Sequence, residues 1–491
     1  MSLIPHGRVV ALNDALVAPG RDVVLYWQTA ARRTRFNFAL EHAIAHARAL
    51  GRPLIVLDAL RVDYRWASDR LHRFAIDGLA DNAETYAAAG VRHYPYVEPA
   101  RDRGRGLLEA LARHACVVVT DDYPEFFLPR MARAAARKLA ALGVRLEAVD
   151  GNGLLPMRAT DKAFVYAHQF RRHVQRVAHD HFDHAPAPSP LRGARSLPRP
   201  GAELELALTA IERRWPPTDL GAVNLATLPI DHAVPPVALR GGERAARKAM
   251  RRFIDTRYDR YARDRNDIDA AVTSGLSPFL HWGFLSVHEL FAAIAEREGW
   301  SPDRTASRPS GKREGWWGMS ASGEAFLDQV ITWRELGFNG ALFIPEHDSF
   351  DSLPPWARET LLTHDADARP NVATLDMLER SETYDELWNA AQNQLRAEGR
   401  IENYLRMLWG KKILEWAPHP REALAWMLDL NNKWALDGRD PNSTSGITWV
   451  MGRYDRPWGP ERPIFGKVRY MSSGNTGRKM DVRRYLERNT P

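Results

Sequence analysis

The first 150 residues alternate short, unbroken apolar runs with alanine-rich helical segments, and this alternation limits the fold more than any other feature of the chain. Residues 21–27 read RDVVLYW and residues 52–57 read RPLIVL; CVVVT at 116–120 and VRLEAV at 144–149 repeat the pattern. Runs that stay apolar at successive positions belong to strands covered on both faces, as in a parallel sheet. Helical segments over 37–50, 70–89 and 129–142 separate them, so the series predicts an α/β domain, a doubly wound parallel sheet, over residues 20–150. Residues 151–242 read as a linker region, with the proline-rich stretch HAPAPSPLRGARSLPRPG (184–201) extended over the surface. Beyond Glu243 the segments are long, helical and joined by short turns, which predicts an all-α domain over 243–491. Residues 301–323, polar and basic with Trp316 and Trp317, read as a surface loop that could touch nucleic acid.

Composition excludes several classes. Of the 491 residues, 45% are hydrophobic and 26% charged, the balance of a soluble globular protein. No apolar run of about 18 residues is present, so no transmembrane helix is expected. The opening MSLIPHGRVVAL lacks a charged segment followed by an apolar one, so no secretory signal is expected and a cytoplasmic location follows. The single cysteine, Cys116, rules out an intrachain disulfide and a four-cysteine iron–sulfur cluster, and its apolar surroundings make it a small buried hydrophobe. A net charge of +7 is compatible with nucleic acid without requiring it. The absence of GxGxxG and of a phosphate loop disfavours dehydrogenases and ATPases. A basic helix expected over 162–182 carries His168, His173, His179 and His181 with no clean ligand spacing, so no metal site is expected.

Residues 381–481 hold most of the functional information. Residues 403–416 lack proline and carry Leu405, Met407, Leu408, Ile413 and Leu414, which predicts a helix. Trp409 and Trp416 stand seven residues apart on it, close to two turns and therefore on one face. Gly399 interrupts the pattern, placing Trp388 on a preceding helix. Spacing alone favours ordinary core indoles; stacked indoles could also pass one electron in steps, and spacing does not choose between the two. Arg334, Arg406 and Asp437 are charges set in apolar helical text, where buried charges need partners. The segment TSGLSP (273–278) places hydroxyls and a glycine before a helix start at Pro278, a shape that suits either a plain cap and turn or a phosphate.

Six segments in order, TSGLSPFLHWG, FLDQVITWREL, DELWNAAQ, LRMLWGKKILEW, LNNKWALDGRDPN and FGKVRYM, together resemble the photolyase and cryptochrome family, most closely its class II cyclobutane pyrimidine dimer photolyases. The resemblance implies flavin adenine dinucleotide (FAD), contacted by Tyr261, Thr273, Ser274, Gly275, Leu276, Ser277 and Arg334. It implies an Arg406–Asp437 ion pair beside the flavin ring, and Asn431 facing the ring. Trp388, Trp409 and Trp416 would recharge the flavin from the surface. Trp333 and Trp449 would line a lesion pocket, and Arg469 would reach DNA. The implied partner is DNA containing pyrimidine dimers, and the implied activity is light-driven repair by a monomer, with no membrane or metal; the alternative is a blue-light photoreceptor without repair. Two departures lie on the substrate side: Gln329 stands where the family places a glutamate over the lesion, and PWGPERP shifts the spacing between Trp449 and Arg469. A third concerns a second, antenna chromophore, which the family can carry near the first strand. There the chain has Gln28, Thr29, Ala30 and Ala31 in place of a charged pair, and Phe36 before Asn37 where an acid is usual.

Overall fold

A computed structural model describes residues 4–490. The chain divides into two compact units: residues 1–160, 177–250 and 276–294 form the first, and residues 161–176, 251–275 and 295–491 the second.

The first unit is built on a six-stranded sheet in the order β1-β6-β5-β2-β3-β4. The strands are β1 (Val9–Ala11), β2 (Val23–Gln28), β3 (Leu54–Leu60), β4 (Arg92–Val97), β5 (Ala115–Asp121) and β6 (Leu146–Val149). β2 to β6 run parallel, and β1 pairs antiparallel with β6, so the sheet is mixed where a parallel one was expected. β4 (RHYPYV) was not expected either: it opens on two polar residues and contains Pro95. It closes one edge of the sheet, the place where a strand tolerates proline.

Alternate residues of β2 serve two cores. Val24 and Tyr26 pack with Phe38, Leu40 and Ile44 of helix α1 (Phe38–Leu50). Val23, Leu25 and Trp27 pack with Leu107, Leu111 and Leu139. The latter core also takes Leu204, Leu208 and Trp215 from the Ala202–Arg214 helix and its end, so part of the expected linker region packs on the sheet. Asn37 caps α1 by accepting from the Leu40 amide at 3.1 Å. Cys116 is buried in β5, and burial raises its thiol.

The second unit is helical. Its centre is the Asn403–Trp416 helix, which has the bounds expected from sequence. It packs against the Glu386–Glu398, Pro420–Trp434 and Pro441–Val450 helices. Proline at the first turn and Asp440 as N-cap start the last of these. The Arg334–Phe343 helix lies so close to it that a Cβ on Gly337 would come within 2.7 Å of the Pro441 carbonyl oxygen. The FLDQVITWREL segment (326–336) contains a π-helical stretch, Asp328–Trp333.

Two further expectations change. The basic helix is shorter, Ala167–Val177 followed by a single turn at His179–Phe182. Trp316 and Trp317 are buried rather than presented on a surface loop, and the Trp300 indole donates to the Trp317 carbonyl at 2.6 Å. Arg171 and Gln175 pin the same segment by donating to the carbonyls of Gly311 and Lys312.

Candidate active site

The charges set in apolar helical text are brought to identifiable neighbours. Arg406 Nη2 lies 2.9 and 3.2 Å from the two carboxylate oxygens of Asp437. Arg334 is buried with its guanidinium over the Phe338 ring at 4.5 Å. Asn431, near the end of the Pro420–Trp434 helix, is buried and donates through Nδ2 to Ser443 Oγ at 2.9 Å. Its amide is therefore oriented from behind by a hydroxyl on the next helix. Tyr261 packs edge-on against Phe253 and Phe326, and burial raises its hydroxyl.

The Thr273–Gly275 turn gathers cations that sequence reading missed. Arg257 Nη1 donates to the Thr273 carbonyl at 3.0 Å. Arg400 Nη1 lies 3.3 Å from where a Cβ on Gly275 would sit, and Gly275 has φ +68°. Burial lowers the Arg257 guanidinium, and repulsion from Arg252 and Arg400 lowers it further. Glu402 supplies a carboxylate, accepting from Thr273 Oγ1 at 3.1 Å, but burial raises it. Two arginines at one turn, with Arg252 close enough to Arg257 to repel it, suit a polyanion such as a diphosphate. The chain leaves the second unit directly after Gly275, so Leu276 and Ser277, which begins the short Ser277–His281 helix, belong to the first.

The indoles form a connected set. Trp388 and Trp409 stack with 6.3 Å between centroids and 5° between planes. Trp388 also meets Trp416 edge-on at 5.5 Å, so it stands between the two indoles of the later helix. The Trp388 indole donates to the Trp409 carbonyl at 3.0 Å and that of Trp409 to Gln392 Oε1 at 2.9 Å. None of the three reaches the surface: their exposures are 1% for Trp388, 2% for Trp409 and 1% for Trp416.

A cleft of about 530 Å³ is lined by Trp449, Trp458, Arg469, Tyr404 and Lys479 among others. The Arg469 guanidinium covers the Trp458 ring at 4.1 Å and lies 5.4 Å from the Trp449 ring. Asp455 holds it through Nε at 3.0 Å and accepts the Trp458 indole N–H at 3.1 Å. The altered PWGPERP spacing thus brings Trp458 into the cleft, a role the sequence did not suggest. Behind Trp449 the buried Lys411 Nζ sits 5.3 Å from its ring and donates to the Val450 carbonyl at 2.5 Å. Burial pushes the Lys411 ammonium down to about 7, with Asp455 acting the other way. Gln329 and Trp333, both half-buried on the π-helical stretch, are not among the residues lining this cleft.

Comparison with known proteins now decides the family. A DNA photolyase family model matches residues 24–190. The chain is 33% identical over 470 residues to a deoxyribodipyrimidine photo-lyase of Methanothermobacter thermautotrophicus, covering 95% of this chain and 94% of that one. It is also 33% identical to a deoxyribodipyrimidine photo-lyase of Oryza sativa subsp. japonica, covering 98% of this chain and 89% of that one. The chain belongs to the DNA photolyase family. Its fold is that of a bacterial class III photolyase from Agrobacterium tumefaciens, with a TM-score of 0.68 at 19% identity, covering 96% of this chain and 86% of that one.

The residues present fit the flavin dinucleotide that photolyases imply. The arginine-crowded turn suits its phosphates, and Asn431, Arg334 and the Arg406–Asp437 pair offer an amide and balanced charges to a ring. A second ligand site is less well provided. β2 and β5 are neighbours from which the chain winds in opposite directions, the usual place for a ligand in such sheets. There Asp121 Oδ2 already accepts from the amides of Thr29, Ala30 and Ala31, at 2.7, 2.7 and 3.0 Å.

Among the described residues, one group of side chains is close enough to hold a metal ion, namely His42, His46 and Glu147. Both imidazole Nε2 atoms lie against Glu147 Oε2, at 2.8 and 2.9 Å, and Arg145 donates to Oε1 at 2.6 Å. Burial would raise the Glu147 carboxyl, but these three hydrogen bonds hold it well below the usual range. With both oxygens paired, the group reads as a hydrogen-bonded cluster of the core. No helix among the described residues is long and apolar enough to cross a membrane.

Proposed function

We propose that this protein repairs cyclobutane pyrimidine dimers in DNA under light, with FAD as its resident cofactor. The observation that carries the reading is the half-buried Arg406–Asp437 pair with the buried Asn431, in a chain that aligns over 95% of its length with a photo-lyase. When bound and reduced, flavin absorbs blue or near-ultraviolet light and supplies one electron to the dimer, which returns after the ring bonds break.

The chain's own residues do the rest. Arg257 and Arg400 neutralise the cofactor phosphates at the Thr273–Gly275 turn, which continues into Leu276 and Ser277. Arg406 and Asp437 cancel each other's charge, so a ring beside them meets little net field. Asn431 presents an amide that either donates or accepts, and Ser443 holds it in place. Trp449 and Trp458 offer stacking faces to bases displaced from the duplex, and a damaged pair is cheaper to displace than an intact one. Arg469 supplies a cation at the rim of the same cleft. Trp409, Trp388 and Trp416 return an electron to the cofactor after adventitious oxidation.

The test is dimer splitting on an oligonucleotide in light and in darkness, with the flavin content of the purified protein measured by absorbance of the denatured supernatant. Light-dependent splitting and stoichiometric flavin are expected; a colourless protein that cannot be reconstituted would end the reading. Gln329 and the Asp455 grip on Arg469 favour a second reading, a blue-light photoreceptor without repair. It predicts bound flavin and light-induced reduction of the cofactor, with intact dimers.

A further inference from the structure

The three tryptophans end inside the protein. An electron entering from solvent therefore needs one more carrier, and the aromatic residue in contact with the outermost indole is Tyr384. Its ring lies 5.4 Å from that of Trp416, inclined at 64°. The Trp416 indole N–H donates to Tyr384 Oη at 3.0 Å. Tyr384 is 59% exposed, against 1% for Trp416. It directly precedes Asp385, which caps the Glu386–Glu398 helix by accepting from the Trp388 amide at 3.1 Å. The cap that places Trp388 between its two neighbours therefore also places Tyr384 at the outer end of the row.

We propose that Tyr384 is the surface terminus of the electron relay, so that the order from inside to outside is Trp409, Trp388, Trp416, Tyr384. This rests on the light-driven flavin reading above, in which photoexcited oxidised flavin is the oxidant at the inner end. A positive charge arriving at Trp416 is poorly placed. The indole is buried, its N–H points at a neutral hydroxyl oxygen, and the Lys412 ammonium lies 5.0 Å from its ring. Lys412 is balanced by Glu415 at 2.6 Å and Asp385 at 3.6 Å, so the local field is small, but it does not favour a cation on the ring.

Tyr384 removes that charge. One electron passes from the phenol to the oxidised Trp416, which returns to its neutral closed-shell form. The phenolic O–H bond breaks, and its proton goes to bulk water at the exposed ring. A neutral tyrosyl radical remains at the surface, where a thiol reductant restores it by giving one hydrogen atom and becoming a thiyl radical. Loss of the proton to bulk water makes the step hard to reverse, so the charge separation outlives a return of the electron along the indoles.

The experiment uses the full-length flavin-loaded protein under blue light, with and without a thiol. Wild type, Tyr384→Phe, Trp416→Phe and Trp409→Phe are compared by electron paramagnetic resonance of freeze-trapped samples and by light-driven reduction of the cofactor. Wild type is expected to give a tyrosyl radical, identified by narrowing of its signal when tyrosine rings are deuterated. Tyr384→Phe is expected to abolish that signal, leave only a tryptophan radical, and lower the yield of reduction in thiol severalfold. Phenylalanine keeps the ring and its packing, and Tyr384→Trp should restore the yield without the tyrosyl signal, which separates electron transfer from structural damage. If Trp409→Phe stops reduction while Tyr384→Phe changes neither the radical nor the yield, the tryptophan relay stands and Tyr384 is not its end. If Trp409→Phe has no effect, the relay itself is absent and the proposal falls with it.

Discussion

Gln329 and Lys411 carry predictions of their own. On the proposed repair function, with Gln329 at the family's glutamate position, a carboxylic acid there would share a proton with the charge that develops on the dimer, whereas the amide of Gln329 donates a hydrogen bond but gives up no proton at neutral pH. Losing a donor of this kind costs up to about 3–4 kcal/mol at the transition state, and the amide retains part of it. Gln329→Glu should therefore raise the number of dimers split per absorbed photon while DNA affinity, measured in parallel, stays similar. A wild-type yield already equal to that of the variant would show that the acid is dispensable here. Lys411 is a matter of stability. Its folded value near 7 lies below the ordinary lysine value, so between about pH 7 and about pH 10.5 the unfolded chain holds a proton that the folded one lacks. Stability from this residue thus rises with pH across that window, and its penalty is fully present below about pH 7. Lys411→Met should raise the melting temperature at pH 7 and flatten the pH dependence above it. A variant whose melting curve stays parallel to wild type from pH 7 to pH 10 would mean the buried amine is already charged or well solvated.

At the scale of elements, the segment most exposed to a single change is the π-helical stretch Asp328–Trp333. The buried carboxylate at its first residue is held by Arg171 Nε at 2.7 Å, with Arg313 at 3.5 Å on the other oxygen. Arg171 also donates to the Gly311 carbonyl, tying the 301–323 segment to the same point. Removing one partner of a buried pair typically costs about 3–5 kcal/mol, because a charge is left behind. Arg171→Leu should cost somewhat less, since Arg313 remains, and should appear as a lower melting temperature with early proteolysis in the 301–323 segment. These elements also show how far the sequence could be read. The Asn403–Trp416 helix was legible because it lacks proline and keeps its apolar residues at helical spacing. The apolar text said only that Arg406 and Asp437 needed partners; that they pair with each other came from the family resemblance. β4 was not legible, since its polar opening and Pro95 hide a strand that only an edge position tolerates. The π-helical stretch was not, because hydrophobic spacing over six residues does not separate it from an α-helix. The arginine pair at the turn was invisible for another reason: Arg257 and Arg400 come together beside Gly275 only when distant segments fold. Tyr384 gave no signal at all, because a surface tyrosine is ordinary until its neighbour is known.

At the scale of the whole molecule, 68 basic residues stand against 61 acidic ones, and the function proposed here turns on where the excess lies. A net charge of +7 raises the rate of encounter with DNA but says little about the contact itself. The cleft with Trp449 and Trp458 puts Arg469 at its rim, half-committed to Asp455, while Lys411 behind it is fully buried, its ammonium pushed down to about 7. Only the first can release a counterion from a phosphate. Each phosphate contact contributes about 0.9 to the slope of log affinity against log salt on duplex DNA. Arg469→Ala should therefore weaken binding to damaged and undamaged duplexes by similar factors and lower that slope by about one unit. Lys411→Met should leave the slope unchanged, because no phosphate reaches its nitrogen. The informative case is Asp455→Asn, which keeps the hydrogen bond to Trp458 but removes the charge opposing Arg469. If the guanidinium meets phosphate, this change frees it and tightens binding at low salt, with a steeper slope. Should Arg469→Ala instead weaken binding with the slope intact, the guanidinium would be acting as a cover that holds Trp458 and Trp449 for stacking, and the phosphate contact would lie elsewhere.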